Sequence, residues 1–176
     1  MTVSGSLSHQ DTRRYSKLRL QDVLFKQSSK LFIYGESLLD QGTGNKQWRE
    51  RGVGEMKILQ HKENKKCRVL MRQEKTMKII CNHMIDPRIE VMPQMSSDKA
   101  WMWSAFDFAD GELVETIFAL RFGNSEIAND FKAKFEECQK TMKGILEAEG
   151  DAPEDVEATA AADDAAAKLS ELKTSD

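Results

Sequence analysis

A run of short β-type segments in the middle of the chain is the feature that most constrains the fold. Between Lys30 and Phe122, seven segments rich in β-branched or aromatic residues are separated by polar turns such as KENKK and QEKT. The segments are KLFIYG, EMKILQHK, KCRVLMRQ, TMKIICNH, RIEVMPQ, KAWMWSAF and ELVETIFALRF. Strands this close in sequence must pair mainly antiparallel, because a parallel pair needs a long crossover connection.

One amphipathic helix is predicted after the strands, and Asn124 or Ser125 can cap its start. Its apolar stripe is Ile127, Phe131, Phe135, Cys138, Met142 and Ile145. Because such a stripe normally packs on the core, a single helix can cover one opening of a curled sheet. The chain is therefore predicted to be α+β, mainly β, forming a small antiparallel barrel or sandwich with a C-terminal capping helix.

Charge divides the 176 residues into a basic body and an acidic end. Residues 147–176 hold ten acids and two lysines, whereas residues 1–146 hold 24 Lys or Arg and 19 Asp or Glu. The Ala-rich end has no aromatic residue and is predicted to be disordered, because it buries too little apolar area. We expect a flexible arm at 1–22, one domain at 23–146 and a tail at 147–176. A basic body attracts nucleic acid, anionic lipid or an acidic protein segment.

No catalytic, metal or cofactor site is predicted. The three histidines, His9, His61 and His83, fit no metal-binding or nucleophile–base spacing, and the sequence Gly42-Thr43-Gly44 lacks the Lys-Ser/Thr that a phosphate loop needs. The three cysteines, Cys67, Cys81 and Cys138, are read as buried free thiols. With neither a membrane-length apolar run nor a secretory signal, we expect a soluble, intracellular binding protein.

The stretch KQWRERGVGEM combines Trp48, Arg51, Gly52 and Gly54. An amphipathic ring, a forked cation and two permissive backbone positions predict a sharp corner that presents an anchor. Burial of Trp48 in the core remains an alternative.

Period-2 alternation predicts a core face and a mixed basic face for two successive strands. The core set is Cys67, Val69, Met71, Met77, Ile79 and Cys81, and the opposite set is Arg68, Leu70, Arg72, Lys78, Ile80 and Asn82. The mixed face is either solvated or a groove for an amphipathic acidic peptide.

Four motifs in order resemble the Ran-binding domain family: WRERGVGEMKIL, RVLMRQEKTMKIICNH, DKAWMWSAFDFAD and LRFGNSEIANDFKAKFEECQK. With VLFKQSSKLFIYG upstream, the resemblance covers roughly residues 23 to 143. It implies a pleckstrin-homology-like fold of seven strands and a C-terminal helix. It also implies a non-enzymatic protein that binds Ran in its GTP state and assists GTP hydrolysis stimulated by the Ran GTPase-activating protein, in nucleocytoplasmic transport.

The resemblance further implies a partner-contacting corner at Trp48 and the Glu50–Gly52 turn, and a cationic patch for the acidic end of Ran. The predicted partner-binding residues are Trp48, Arg49, Glu50, Arg51, Gly52, Gly54, Lys57, Arg68, Arg72, Lys75, Lys78, Asn82, His83, Trp101 and Trp103. The connection ESLLDQGTGNKQ before Trp48 is longer than usual for the family, which predicts an enlarged loop.

Two other functions stay open. A phosphoinositide-binding domain of the same fold would use the KENKK turn, and a single-stranded nucleic-acid binder would stack bases on Trp101 and Trp103. Under the leading interpretation we expect a cytoplasmic protein that can shuttle through the nucleus. Whether a karyopherin joins the complex with Ran is left open.

Overall fold

The computed structural model describes residues 20–150. Its strands are β1 (Gln21–Glu36), β2 (Lys46–His61), β3 (Cys67–Gln73), β4 (Ile79–Met84), β5 (Met92–Pro93), β6 (Ala100–Asp107) and β7 (Val114–Arg121), and its helix is α1 (Ser125–Glu149). This element order confirms the predicted fold class. Residues 1–19 of the predicted arm and 151–176 of the predicted tail lie outside the described residues.

The strands form one antiparallel sheet in the order β4-β3-β2-β1-β7-β6-β5. The sheet curls until the end of β6 meets β4. There the Asn82 backbone N–H donates to Asp107 Oδ1 at 2.8 Å, and the Phe108 N–H donates to the Asn82 carbonyl at 2.8 Å. The curl separates an inner face that holds the core from an outer face toward solvent.

The inner face packs against one side of α1. Phe131 and Phe135 have no exposed surface, and their ring centroids lie 5.7 and 6.1 Å from that of Trp103. Asn124 caps the helix, since its Oδ1 accepts the Ile127 N–H at 2.8 Å. The predicted helix and its apolar stripe are confirmed.

Gln139 ties α1 to the connection between β4 and β5. Its Nε2 donates to the carbonyl oxygens of Asp86 at 3.0 Å and Ile89 at 2.6 Å. Because this connection runs outside the strand ladder, its carbonyls need side-chain donors. The helix therefore fixes the path of the chain across this end of the curled sheet.

The predicted sharp corner around Trp48 is wrong, because Lys46–His61 is one continuous strand. Its register against β1 skips Arg51, which is the extra residue of a β-bulge. Glycine at position 54 allows β2 and β3 to approach closely: a Cβ at Gly54 would collide with the carbonyl oxygen of Arg72. The composition of this stretch thus reflects a bulged, tightly packed strand.

The predicted alternation holds in β3 and for Cys81 and Asn82 of β4, but it fails at Ile79 and Ile80. The core side chains of β3 are Cys67, Val69 and Met71. In β4 the register skips Ile80, so a further bulge turns Ile80 into the core while Ile79 pairs beside Arg72 on the outer face. Met77 was predicted to be core but is 60% exposed in the preceding turn, and Leu70 is only 8% exposed on the outer face.

The enlarged loop predicted before Trp48 spans residues 37–45. The Glu36 carboxylate accepts the backbone N–H groups of Gly42 at 2.6 Å and Gly44 at 2.7 Å, and both glycines have positive φ. The backbone amides with which Gly42-Thr43-Gly44 could bind an anion therefore already bind the Glu36 carboxylate.

Candidate functional site

The first exposed surface is a cleft of about 270 Å³ on the outer face, which we call the Trp48 cleft. It is lined by Phe32, Trp48, Glu50, Gln94, Ser96, Ser97 and Arg121. Trp48 lies opposite Tyr34 in the β1–β2 ladder, and the two ring centroids are 5.3 Å apart. A small buried cluster of Met92, Met102 and Ala119 packs against Trp48 and supports it from the sheet.

The Trp48 cleft combines apolar surface with a charged rim. Glu50 pairs with Lys30 at 3.1 Å, whereas Arg121 is exposed and forms no ion pair with any residue of 20–150. A half-buried Trp surrounded by polar groups is typical of the anchoring positions of protein interfaces. This arrangement suits a protein partner.

The second surface is the outer side of β1, β2 and β3, and we call it the basic face. It consists of Lys26, Lys57, Arg68 and Arg72, which the strand register places on one side of the sheet. Glu55 lies among them, with its carboxylate oxygens 3.3 Å from Lys26 Nζ and 3.8 Å from Lys57 Nζ. The two lysines are therefore partly neutralised, and the two arginines carry the excess charge.

Arg68 and Arg72 have no acidic partner within the described part of the chain. Arg68 donates to the side-chain oxygens of Gln21 at 2.9 Å and Asn82 at 3.5 Å, and Arg72 donates to the Met77 carbonyl at 2.9 Å. Burial lowers the pKa of Arg68, and the charge of Arg72 lowers it further. An acidic group brought to these two arginines would relieve this repulsion.

Lys75 and Lys78, the other cations of the predicted patch, belong to the turn between β3 and β4. Lys78 is exposed and lies 3.5 Å from Asp110, and Lys75 is exposed. Both stand at the margin of the basic face.

Arg51 is engaged inside the protein. Its two terminal nitrogens lie 2.8 Å from Asp107 and 3.2 Å from Asp110, and its side chain is 17% exposed. Because Asp107 also accepts the Asn82 N–H, this cluster joins β2, β4 and β6 where the sheet curls. Arg51 and Asn82 therefore contribute to closure of the fold.

His83 and Trp103 belong to the core. The Trp103 Nε1–H donates to His83 Nε2 at 3.0 Å, and the opposite ring nitrogen of His83 lies 2.9 Å from the Met84 carbonyl. These partners require a neutral ring with the proton on Nδ1. Burial lowers the pKa of His83, although the Met84 carbonyl and Asp107 act against that shift.

Trp101 is half-buried and contacts α1. Its Nε1–H donates to the Ala128 carbonyl at 2.6 Å, and Lys132 Nζ lies 5.0 Å from the ring centroid. Trp103 has no exposed surface. The pair therefore lacks the two open ring faces that base stacking requires.

Two further predicted partner-binding residues, Arg49 and Gly52, serve packing, and the KENKK turn of the alternative lipid-binding function has two of its lysines in ion pairs. Arg49 lies opposite Ile33, and its Nε is buried with no hydrogen-bond partner among the described residues. Gly52 is buried against the side chain of Ile80. In the KENKK turn, Lys62 pairs with Asp22 and Lys66 with Glu149, which leaves fewer free cations for a lipid headgroup.

The sequence reasoning missed Phe32, Tyr34 and Arg121 as parts of the Trp48 surface. Arg121 carried a signal, because alternation in β7 places it opposite the buried Leu120. Tyr34 becomes visible only when its register against Trp48 is known.

Comparisons with known proteins agree on one family. The family model described as the RanBP1 domain matches residues 20–141. Human RANBP2-like and GRIP domain-containing protein 8 is 42% identical over 125 residues, and human E3 SUMO-protein ligase RanBP2 is 41% identical over 125 residues. Each alignment covers 71% of this chain but only 7% and 4% of those relatives, respectively.

Solved structures show the same fold. The Ran-binding domain of Nup2 from Ashbya gossypii is 26% identical with a TM-score of 0.55, and the match covers 70% of this chain and 98% of that one. The EVH1 domain of Dm DCP1 has a TM-score of 0.50 at 11% identity, covering 80% and 97%, which supports the pleckstrin-homology-like fold alone. Within residues 20–150, no helix is both long and apolar enough to cross a membrane. The resemblance seen in the four motifs is confirmed, and the chain belongs to the RanBP1 domain family.

Proposed function

We propose that this chain binds Ran in its GTP state and assists the Ran GTPase-activating protein without catalysing hydrolysis itself. The observation that carries the proposal is the family match over residues 20–141, together with the relative named RanBP2 and the solved Ran-binding domain of Nup2. The setting we propose is nucleocytoplasmic transport, with the protein acting in the cytoplasm and able to shuttle through the nucleus. A karyopherin bound together with Ran is compatible with this role.

The proposed contact with Ran uses two separate surfaces of the domain. The Trp48 cleft offers an aromatic anchor for the folded body of Ran, and the basic face offers Arg68 and Arg72, which have no acidic partner within residues 20–150, for its acidic C-terminal segment. Strand β2 contributes to both, with Trp48 and Lys57 separated by about 30 Å along the strand. A partner that touches both surfaces must combine a body with an extended acidic end.

A binding role is also supported by the position of Arg51. A catalytic arginine supplied to a GTPase must reach the transferring phosphate. Arg51 is instead engaged by Asp107 and Asp110. We therefore propose that the chain accelerates hydrolysis only when the activating protein is present, by stabilising one conformation of Ran.

The test is a titration of the full chain with Ran loaded with GTP or with GDP. We expect at least a hundredfold tighter binding to the GTP form, which corresponds to about 2.7 kcal/mol. A single-turnover assay should show acceleration only with the activating protein added. Equal binding to both nucleotide states would contradict the proposal.

A further inference from the structure

Helix α1 ends near the start of β3, the strand that carries Arg68 and Arg72. Glu149, the last residue of α1, pairs with Lys66 at 3.0 Å. Lys66 immediately precedes β3, and Arg68 lies about 7 Å further along the chain. The segment 151–176 is therefore attached near the end of β3 that carries the first arginine of the basic face.

Length and charge allow that segment to cover the whole face. Residues 151–176 contain eight acids and two lysines. Fully extended, these 26 residues span up to about 90 Å, which exceeds the length of β3 several times. Since Arg68 and Arg72 lack acidic partners within residues 20–150, the face carries charge complementary to the segment.

The side chains around Arg68 also complement one part of the segment 151–176 in charge and polarity. One row across the outer face contains Val23, Leu59, Arg68 and Met84, and within it Val23 is 54% and Met84 46% exposed. The segment Glu154–Glu157 reads Glu-Asp-Val-Glu, with one apolar residue among three carboxylates. Its carboxylates suit the arginines, and its valine suits the exposed apolar positions.

We propose that residues 151–176 dock on the basic face of the same chain through Glu154–Glu157, and so compete with any acidic segment that a partner brings to this face. The docking is independent of the function proposed above, whereas competition against Ran rests on it. A tethered segment experiences an effective concentration on the order of millimolar. If the free segment has a Kd of about 0.1 mM, the tether weakens a competing acidic ligand about tenfold.

The experiment uses the full chain with Ala160→Cys carrying a nitroxide spin label. The native cysteines are 0%, 0% and 2% exposed, so the label goes selectively to position 160. In an NMR spectrum we expect the amide signals of Arg68, Leu70 and Met84 to broaden, and those of Ser104 and Ile117 on the other half of the sheet to stay sharp. In 1 M salt the Debye length is about 3 Å, and the broadening should disappear.

Matched variants test the chemistry of the contact. Arg68→Gln with Arg72→Gln should abolish the broadening, and so should neutralisation of residues 154, 155 and 157. Lys46→Gln with Lys140→Gln removes the same charge from exposed positions elsewhere and should leave it intact. Broadening that survives the arginine variant in a folded protein would overturn the proposal, as would sharp signals across the basic face of the labelled chain.

A mixed sample separates docking in cis from association. The isotope-labelled chain without a spin label is combined with the spin-labelled chain lacking isotopes. Broadening of the basic face in this sample would assign the contact to a second copy and overturn the proposal. Because Ran is absent throughout, the outcome does not depend on the titrations that test Ran binding.

Discussion

Replacing Arg51 tests whether this residue serves the fold or the partner. Arg51→Met leaves the Asp107 carboxylate, only 4% exposed, with the Asn82 N–H as its remaining partner. Breaking a buried ion pair by removing one member costs about 3–5 kcal/mol. Because Arg51 is partly accessible to solvent, we expect a destabilisation of about 2–4 kcal/mol. Most of that cost is the charge left behind on Asp107.

A double-mutant cycle isolates the pair. Asp107→Asn keeps an acceptor for the Asn82 N–H but removes the charge. The combined variant Arg51→Met with Asp107→Asn should therefore lose about 1–3 kcal/mol less than the sum of the single variants. Lys78→Met is the matched control, since Lys78 pairs with Asp110 at a side-chain exposure of 71%, and it should change stability by about 0.5 kcal/mol or less.

The assay is urea unfolding followed by Trp fluorescence, because Trp103 is buried in the core. Unchanged m-values are needed for the free energies to be compared. If Arg51→Met costs less than about 0.5 kcal/mol and yet abolishes binding to GTP-loaded Ran, the internal role is wrong and Arg51 is a partner contact. Strict additivity of the two changes would also refute the argument.

Three further changes give separable outcomes. Trp48→Ala should weaken binding to GTP-loaded Ran at least about tenfold in calorimetric titration while the domain stays folded; unaltered affinity would remove the Trp48 cleft from the interface. Gly54→Ala should cost about 1–3 kcal/mol in urea unfolding, because its Cβ meets the backbone of β3, whereas Gly123→Ala has open space and serves as the control. The pKa of His83 is lowered by burial, so protons bind the unfolded chain first and the free energy of unfolding should fall as pH drops below the ordinary value of 6.5. His83→Gln keeps one donor and one acceptor and should remove that part of the slope; an identical slope would show that other groups cause it.

Local sequence patterns were sufficient for the elements that depend on neighbouring residues. The spacing of Phe131, Phe135 and Cys138 marked the buried side of α1, and the alternation of Cys67 and Val69 marked the inner face of β3. Both patterns follow from the geometry of a single element. The element order and the family motifs followed from the same local information.

Features that depend on pairing were not visible in the sequence. The bulges at Arg51 and Ile80 are mismatches in the register of two paired strands, and neither residue type predicts a bulge. The ion-pair partner of Arg51 is Asp107, which lies 56 positions later. The sequence around Arg51 therefore could not show that its guanidinium group is held in an internal ion pair. The same limitation left open which of Trp48, Trp101 and Trp103 is exposed.

The central position of β1 has a consequence for how the chain is made. β1 pairs with β2 on one side and with β7 on the other, where Leu31 lies opposite Leu120, 89 positions later. At synthesis rates of about 5–20 residues per second, the β7 side of β1 waits roughly 4 to 18 s for its partner. Contacts of such separation slow folding, and an unpaired strand edge is open to other chains meanwhile. The early meander of β1 to β4 is therefore the stage at which the nascent chain most needs protection from aggregation.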